Sequence, residues 1–279
     1  MLKRIYIEII NQCNLQCAFC LPHKRKPLSM TTDFFRHVVR QAKHYTPYIY
    51  LHVKGEPLLH PQFDEIMTIA DEEGMFVQLV TNSTFLYRYS DALLQHPSLR
   101  KISFSLQSIE YQKEEPLTLL KPILSFCEAA SQKDYPYCEI RFWRSDQLLE
   151  DKTALCLAYL KEHYPFAASR SAKNFSIMPH VYVDFDNAFT WPDSSDKENS
   201  ERGYCHGAID QIAILSDGMV VPCCLDQNGD IAFGNLHEEA LETILSSERY
   251  RAMCDGLHNR YLTESFCRKC TFRYRFNKR

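Results

Sequence analysis

The chain has 279 residues, 45% of them hydrophobic and 24% charged, with a formal net charge of −3. That balance is ordinary for a globular chain long enough for one large domain, or one domain with a small appendage, and it excludes a disordered segment and a molecule that is basic throughout. No apolar run approaches the roughly 18 residues of a membrane span, so no membrane is expected among the partners.

The N-terminal MLKRIYIEII is too short in its apolar part for a signal peptide and has no small-residue cleavage site behind it. It reads as a first strand over Ile5–Ile10, and the protein as cytoplasmic. Twelve cysteines in a reducing compartment point to metal ligation before disulfides. Next along the chain, Thr31 and Thr32 are candidate N-caps for a helix with Phe35, Val38, Val39 and Ala42 at helical spacing. A strand is expected over Tyr48–Val53, then a helix opened by Pro61 and closed by Gly74. Strands at Phe76–Val80 and Ile102–Leu106 flank a short helix at Asp91–Gln95. A helix at Leu119–Ser131, a strand at Tyr137–Trp143, a helix at Thr153–His163 and a last strand at Phe175–Val183 follow.

Six strand–helix units imply an α/β fold with a parallel sheet, a partial TIM-like barrel over residues 1–183. Residues 184–203, polar after Trp191-Pro192-Asp193, read as a linker or surface loop. Residues 204–279 form a small second domain. Its hairpin runs from Gln211–Leu215 through Ser216-Asp217-Gly218 to Met219–Pro222, with a helix near Glu238–Ser247. Two basic segments, His23-Lys24-Arg25-Lys26 and the tail carrying Arg268, Lys269, Arg273, Arg275, Lys278 and Arg279, read as solvated faces or as contacts for phosphate or carboxylates.

Cys13, Cys17 and Cys20 lie within eight residues on the loop after the first strand. Their spacing is not that of paired zinc knuckles, and three thiolates leave a four-iron cluster one open coordination site. The alternative is a structural zinc site completed by His23 or His52. This Cys-x3-Cys-x2-Cys pattern, with Phe19 before the last cysteine, resembles the radical SAM superfamily. The resemblance implies a [4Fe-4S] cluster on the three cysteines and S-adenosylmethionine (SAM) chelating its unique iron. An electron from an external donor such as flavodoxin or ferredoxin then releases a 5′-deoxyadenosyl radical that takes hydrogen from a substrate.

By the same resemblance Phe19 lies beside the adenine, and Lys54-Gly55-Glu56-Pro57 stands where the family has Gly-Gly-Glu-Pro. Gly55 and Glu56 are then expected at the SAM ammonium, and Asn82 at the end of the third strand. Ser105 and Gln107, read as one face of the fourth strand, would meet the ribose. Arg141, with Arg144 as rival, would meet the SAM carboxylate.

The C-terminal cysteines Cys205, Cys223, Cys224, Cys254, Cys267 and Cys270 include a knuckle at Cys267-Arg268-Lys269-Cys270. They resemble the SPASM or twitch appendage of radical SAM proteins, which implies a second [4Fe-4S] cluster on Cys205, Cys223, Cys267 and Cys270. Cys223 is preferred over Cys224 because it follows Pro222, and neighbouring residues on a strand face opposite ways. Four ligands favour electron transfer over substrate binding; a four-cysteine zinc site is the alternative. Cys254 is left over as a buried thiol, and Cys127, Cys138 and Cys156 read as core.

The expected function is therefore hydrogen abstraction from a small molecule or a peptide. The short stretch before Cys13 has no room for a leader-binding domain, which tilts the expectation towards a small molecule or a separately delivered peptide. A non-catalytic zinc or iron–sulfur protein is one alternative. An RNA substrate, suggested by Phe272, Tyr274 and Phe276 among the tail arginines, is the weaker one.

Overall fold

Alternating apolar residues build the first strand, β1 (Arg4–Ile7), whose last three residues are buried. The chain then enters a long loop and returns through helix α1 (Thr32–Ala42), where the Thr31 side chain accepts the Phe34 N–H at 3.2 Å. Phe35, Val38, Val39 and Ala42 form its buried stripe, as the spacing predicts. Strand β2 (Tyr48–Tyr50) leads to α2 (Phe63–Glu72), closed by Gly74 at φ +69°. Strands and helices continue as β3 (Phe76–Thr81), α3 (Leu86–Leu93), β4 (Leu99–Ser105), α4 (Pro116–Gln132), β5 (Tyr137–Arg144) and α5 (Asp151–His163). The coordinates are a computed structural model, and they describe residues 2–22, 24–144, 149–171, 173–193 and 195–276.

The expected last strand at Phe175–Val183 is in fact two. β6 (Ala167–Ser171) and β7 (Asn174–Met178) form an antiparallel pair, and the chain turns at His180, φ +61°, into β8 (Val181–Asn187). It is β8 that lies parallel to β5 and completes the six-strand series. Asp184 and Asp186, expected where a strand end runs into a solvated loop, thus belong to the barrel wall.

In the C-terminal part, β9 (Gln211–Ile214) pairs in parallel with β1, followed by β10 (Met219–Val221), β11 (Gly234–Asn235) and helices α6 (Leu241–Leu245), α7 (Glu248–His258) and α8 (Ser265–Lys269). One sheet in the order β11-β10-β9-β1-β2-β3-β4-β5-β8-β7-β6 results, with seven central strands parallel. The apolar core fills the space between its convex face and the helices. No helix among the described residues is long and apolar enough to cross a membrane.

Candidate functional site

The loop that carries the first cysteines is pinched at its base by one buried side chain. Asn11 donates from Nδ2 to the Lys26 carbonyl at 2.8 Å and accepts the Leu28 N–H at 2.8 Å. The loop after β2 presses on the same base, where the Glu56 N–H meets the Gln12 carbonyl at 2.9 Å. Gly55 makes this approach feasible: at φ +86°, a Cβ there would stand 2.4 Å from the Ile10 carbonyl oxygen. The glycine expected to admit a ligand therefore first admits the backbone of the cysteine loop.

Within the loop the Cys20 N–H bonds the Cys17 carbonyl, and the Leu15 N–H points at Cys13 Sγ from 3.4 Å. Asn82 reaches across from the end of β3, its Nδ2 lying 3.6 Å from Cys13 Sγ and 3.1 Å from Asn14 Oδ1. Burial pushes the Cys17 thiol up to about 12, with the charges of Cys20 and Cys13 adding to it. Burial also raises Cys13 and Cys20; the Leu15 N–H opposes this at Cys13, and the neighbouring Lys54 ammonium opposes it at Cys20. The three sulfurs thus lie within electrostatic reach of one another. A metal that binds them must displace their protons.

Glu56 is occupied differently from the expectation. Its Oε1 accepts the Thr81 hydroxyl at 2.7 Å and the Leu58 N–H at 3.1 Å, and its Oε2 accepts the Asn82 N–H at 2.6 Å. The carboxylate is spent on fixing the ends of β2 and β3, and with them Asn82 over Cys13. Burial raises its pKa to about 7 despite those three donors.

Gln107 also departs from the strand reading. β4 stops at Ser105, and the chain coils into a 3-10 turn over Leu106–Tyr111 that buries Leu106 and Ile109. Ser105 therefore ends the strand, beside Arg141 in the β4–β5 register, while Gln107 sits in the turn. There it helps line a cavity of about 260 Å3 with Ala18, Phe19, Glu110, Tyr111 and Trp143. Phe19 packs edge-on against Trp143 (ring centroids 5.1 Å apart) and Tyr111 (5.7 Å). Gln107 Oε1 and Trp143 Nε1 are buried without a hydrogen-bond partner among the described residues. The cavity thus offers aromatic walls, one unpaired acceptor and one unpaired donor.

Arg141 and Arg144 are separated by the two-residue period of β5. Arg141 faces the concave side, 3.9 Å from Glu139, whereas Arg144 lies over the Phe185 ring at 4.3 Å. The concave face is polar along its length. Glu139 accepts from Lys101 at 2.7 Å and Ser103 at 2.9 Å, and Asp184 accepts from Asn174 at 3.3 Å. Glu139, Asp184, Lys101, Gln78 and Tyr182 line a further cavity of about 460 Å3. Deeper on this face His52 stands edge-on to Tyr6, and burial lowers its pKa to about 3, which keeps the imidazole neutral.

At the other end of the chain, Cys205, Cys223, Cys267 and Cys270 line a single cavity closed by Pro222, Leu225, Met253, Leu262, Phe266 and Arg273. Burial raises all four thiols, Cys205 to about 11, and the Arg273 charge pulls against that at Cys205 and Cys270. Cys224 points the opposite way, packing against Tyr6, Val53, Ala213, Leu215 and Val221 and bonding Tyr6. Cys254 is half-buried against the Ala208 carbonyl, and Cys127, Cys138 and Cys156 are core residues. Among the described residues no group of three or more His, Cys, Asp or Glu is gathered tightly enough to hold one metal ion. The ligands of a cubane, each on a different iron, stand further apart than those of one ion. The donor chemistry of both sites is soft thiolate, suited to iron–sulfur ligation.

The basic segments are in part solvated, with Lys24, Lys26 and Arg275 exposed, and in part engaged by the fold. Arg25 is bound to Glu8, the Gln227 carbonyl and Ser216, and Lys24 reaches Asp193 at 2.5 Å. In the tail Arg275 meets Asp186 at 2.7 Å, and Arg268 donates to the Leu262 carbonyl at 2.8 Å. His23, Ser194, Lys278 and Arg279 lie outside the described residues. Sequence reasoning missed Trp143, Tyr111, Glu8, Arg25 and Arg273. Strand parity with Arg141 was a signal for Trp143. The charged residues carry none, because Glu8 and Arg25, only 17 positions apart, are joined by the path of the loop between them and by burial, which local spacing does not encode.

Two thiolate-rich sites on one sheet, the first on the loop after the opening strand of a partial parallel barrel and the second beside the appended hairpin, define an iron–sulfur protein with its chemistry at the strand ends. Residues 7–140 match the radical SAM superfamily model, and residues 205–271 match the model of SPASM, an iron–sulfur cluster-binding domain. The chain belongs to the radical SAM superfamily, among the enzymes that carry a SPASM-type domain, and its cofactors are [4Fe-4S] clusters and SAM. It is similar to the GTP 3′,8-cyclase of Aquifex aeolicus, at 30% identity over 42% of this chain and 38% of that protein. The matches span about a quarter to two fifths of the length of the curated relatives.

Among solved structures it resembles BtrN in complex with AdoMet and 2-DOIA (TM-score 0.59, 16% identity, 97% of this chain and 93% of that one). It also resembles Streptococcus suis SuiB bound to its precursor peptide SuiA (TM-score 0.58, 16% identity, 91% and 66%). At such identities these likenesses establish the fold.

Proposed function

We propose that Cys13, Cys17 and Cys20 hold the cluster at which SAM is cleaved, and that Cys205, Cys223, Cys267 and Cys270 hold an auxiliary [4Fe-4S] cluster serving electron transfer. SAM bound at the first cluster supplies a 5′-deoxyadenosyl radical for hydrogen abstraction, the electron coming from an external donor of the flavodoxin or ferredoxin kind. The observation that carries this reading is the cysteine loop, clamped by Asn11 and Gly55 over the C-terminal ends of the parallel strands, where α/β folds gather their ligand sites.

This chain's residues have separable tasks in that reading. Phe19, Trp143 and Tyr111 stack around the adenosyl group, and Gln107 and Trp143 give it the acceptor and donor that lack partners. Ser105 faces the ribose, and Arg141 the carboxylate. Asn82 bears on Cys13 and is held there by Glu56, which acts through it as a positioning residue. The substrate is received on the polar concave face beside Arg141 and Glu139; the cavity of about 460 Å3 lies at the opposite end of the strands, among the first residues of β2, β4, β5 and β8. The Lys101–Glu139 ion pair and the nearby Arg141 guanidinium favour a small polar molecule as substrate. A peptide is the second reading, supported by the likeness to a protein solved with its precursor peptide.

The test is anaerobic reconstitution followed by reduction in the presence of SAM. The full chain should bind two clusters' worth of iron and release 5′-deoxyadenosine, and Cys17→Ala should abolish the release while keeping about half the iron. Colourless protein containing zinc, or undiminished release by Cys17→Ala, would refute the assignment.

A further inference from the structure

Arg273 is the largest side chain in the molecule that is almost fully buried, at 1% exposure. Its Nη1 donates to the Cys270 carbonyl, but Nε and Nη2 have no partner among the described residues. Its guanidinium lies over the Tyr274 ring at 4.7 Å, but no carboxylate pairs with it among the described residues, whereas Arg268 has Glu198 and the Leu262 carbonyl, and Arg275 has Asp186. A guanidinium stays charged, and burying one with no carboxylate beside it is costly.

Arg273 borders the cavity lined by Cys205, Cys223, Cys267 and Cys270. The backbone makes room for it there: a Cβ on Gly203 would stand 2.8 Å from Nε and 3.0 Å from Cδ. A cation is thus built into the wall of an apolar, four-thiol cavity, with its free N–H groups still to be satisfied.

We propose that Arg273 is the buried counter-charge of the auxiliary cluster, donating N–H to its sulfurs and holding its reduction potential up. The inference rests on the ligand set proposed above. Four thiolates around a [4Fe-4S] core carry net negative charge, and reduction adds one more. A fixed positive charge at the wall stabilises the reduced form more than the oxidised one. Net charge and hydrogen bonds to sulfur are among the levers that set cluster potentials, and a dry wall strengthens both. Arg273 would thereby poise the auxiliary site to take up an electron, as a tuning residue that does not touch substrate.

The experiment uses the full chain carrying Cys13→Ala, Cys17→Ala and Cys20→Ala, so that only the auxiliary cluster remains. Iron content and the midpoint from an anaerobic reductive titration followed by electron paramagnetic resonance are read with and without Arg273→Met. The expected result is retained iron and a midpoint lowered by at least a tenfold shift in the equilibrium, about 59 mV for one electron. Arg273→Lys, which keeps the charge, should recover part of the shift. An unchanged midpoint in Arg273→Met overturns the inference. If Arg273→Met fails to hold iron, Gly203→Ala is read instead, since it displaces the guanidinium and keeps its charge; a midpoint equal to the parent's then overturns it. Absence of iron from the triple-alanine parent itself would refute the auxiliary ligand set, an outcome distinct from any result with Arg273.

Discussion

The two sulfur sites are built in opposite ways. Cys13, Cys17 and Cys20 sit on one loop, Cys13 and Cys20 being exposed as residues although neighbouring atoms crowd their sulfurs, and the loop is shaped by contacts at its base. Cys205, Cys223, Cys267 and Cys270 come from three separate segments and face an apolar cavity sealed by side chains of α7, α8 and the hairpin. The first arrangement leaves one face open to a ligand, while the second surrounds its contents. The difference teaches that access is obtained by putting all ligands on one continuous loop at a strand end, and insulation by drawing them from several segments. A buried junction at Glu8 ties the cysteine loop to the hairpin that precedes Cys223. Glu8 accepts from Arg25 of the cysteine loop, from the Lys54 N–H at 3.2 Å, and from the Ser216 N–H at 3.1 Å and hydroxyl at 3.0 Å.

The largest effect that would break this comparison is at the adjacent cysteines. Cys223→Ala should remove one cluster's worth of iron, while Cys224→Ala should leave the full amount, because its thiol packs on Tyr6 away from the cavity. Equal losses from the two variants, measured as iron per chain, would mean that the sealed site is not closed as described.

The junction comes next. Glu8→Gln leaves Arg25 without its buried partner and should cost roughly 3–5 kcal/mol in denaturant unfolding. Combining it with Arg25→Met should recover much of that, since removing both charges leaves neither one buried and unpaired. A double variant as unstable as the sum of the singles would show that the two residues act independently.

The smallest effect sharpens the account of the open site. Glu56 titrates near 7 in the fold against 4.5 for an ordinary glutamate. The folded state therefore holds the proton more tightly, and its contribution to stability falls as pH rises from about 4.5 to 7, by at most about 3 kcal/mol. Glu56→Gln should flatten the stability profile of the metal-free protein across that window. A slope unchanged in the variant would assign the pH dependence elsewhere.

Much of this organisation was legible in the order of residues. The helical stripe of α1, its Thr31 cap and the Gly74 stop follow from local rules, and they hold in the fold. The spacing of Cys13, Cys17 and Cys20 is equally local, so a family likeness could be read from it. Other features were misread because they depend on where the chain turns. Gln107 left its strand because Leu106 and Ile109 find burial in a 3-10 turn, and the last barrel strand began after the His180 turn.

By itself the sequence determined which segments alternate between strand and helix, and which thiols are near neighbours along the chain. Covalent spacing and hydrophobic period act over a few residues and need no partner. Only the tertiary structure decided that Cys205, Cys223, Cys267 and Cys270 line one cavity while Cys224 packs on Tyr6, that Glu8 joins the two sites, and that Arg273 in a tail of arginines is the one enclosed with thiols. Those outcomes turn on desolvation and on contacts between distant segments, and burial exists only once the sheet has brought those segments together.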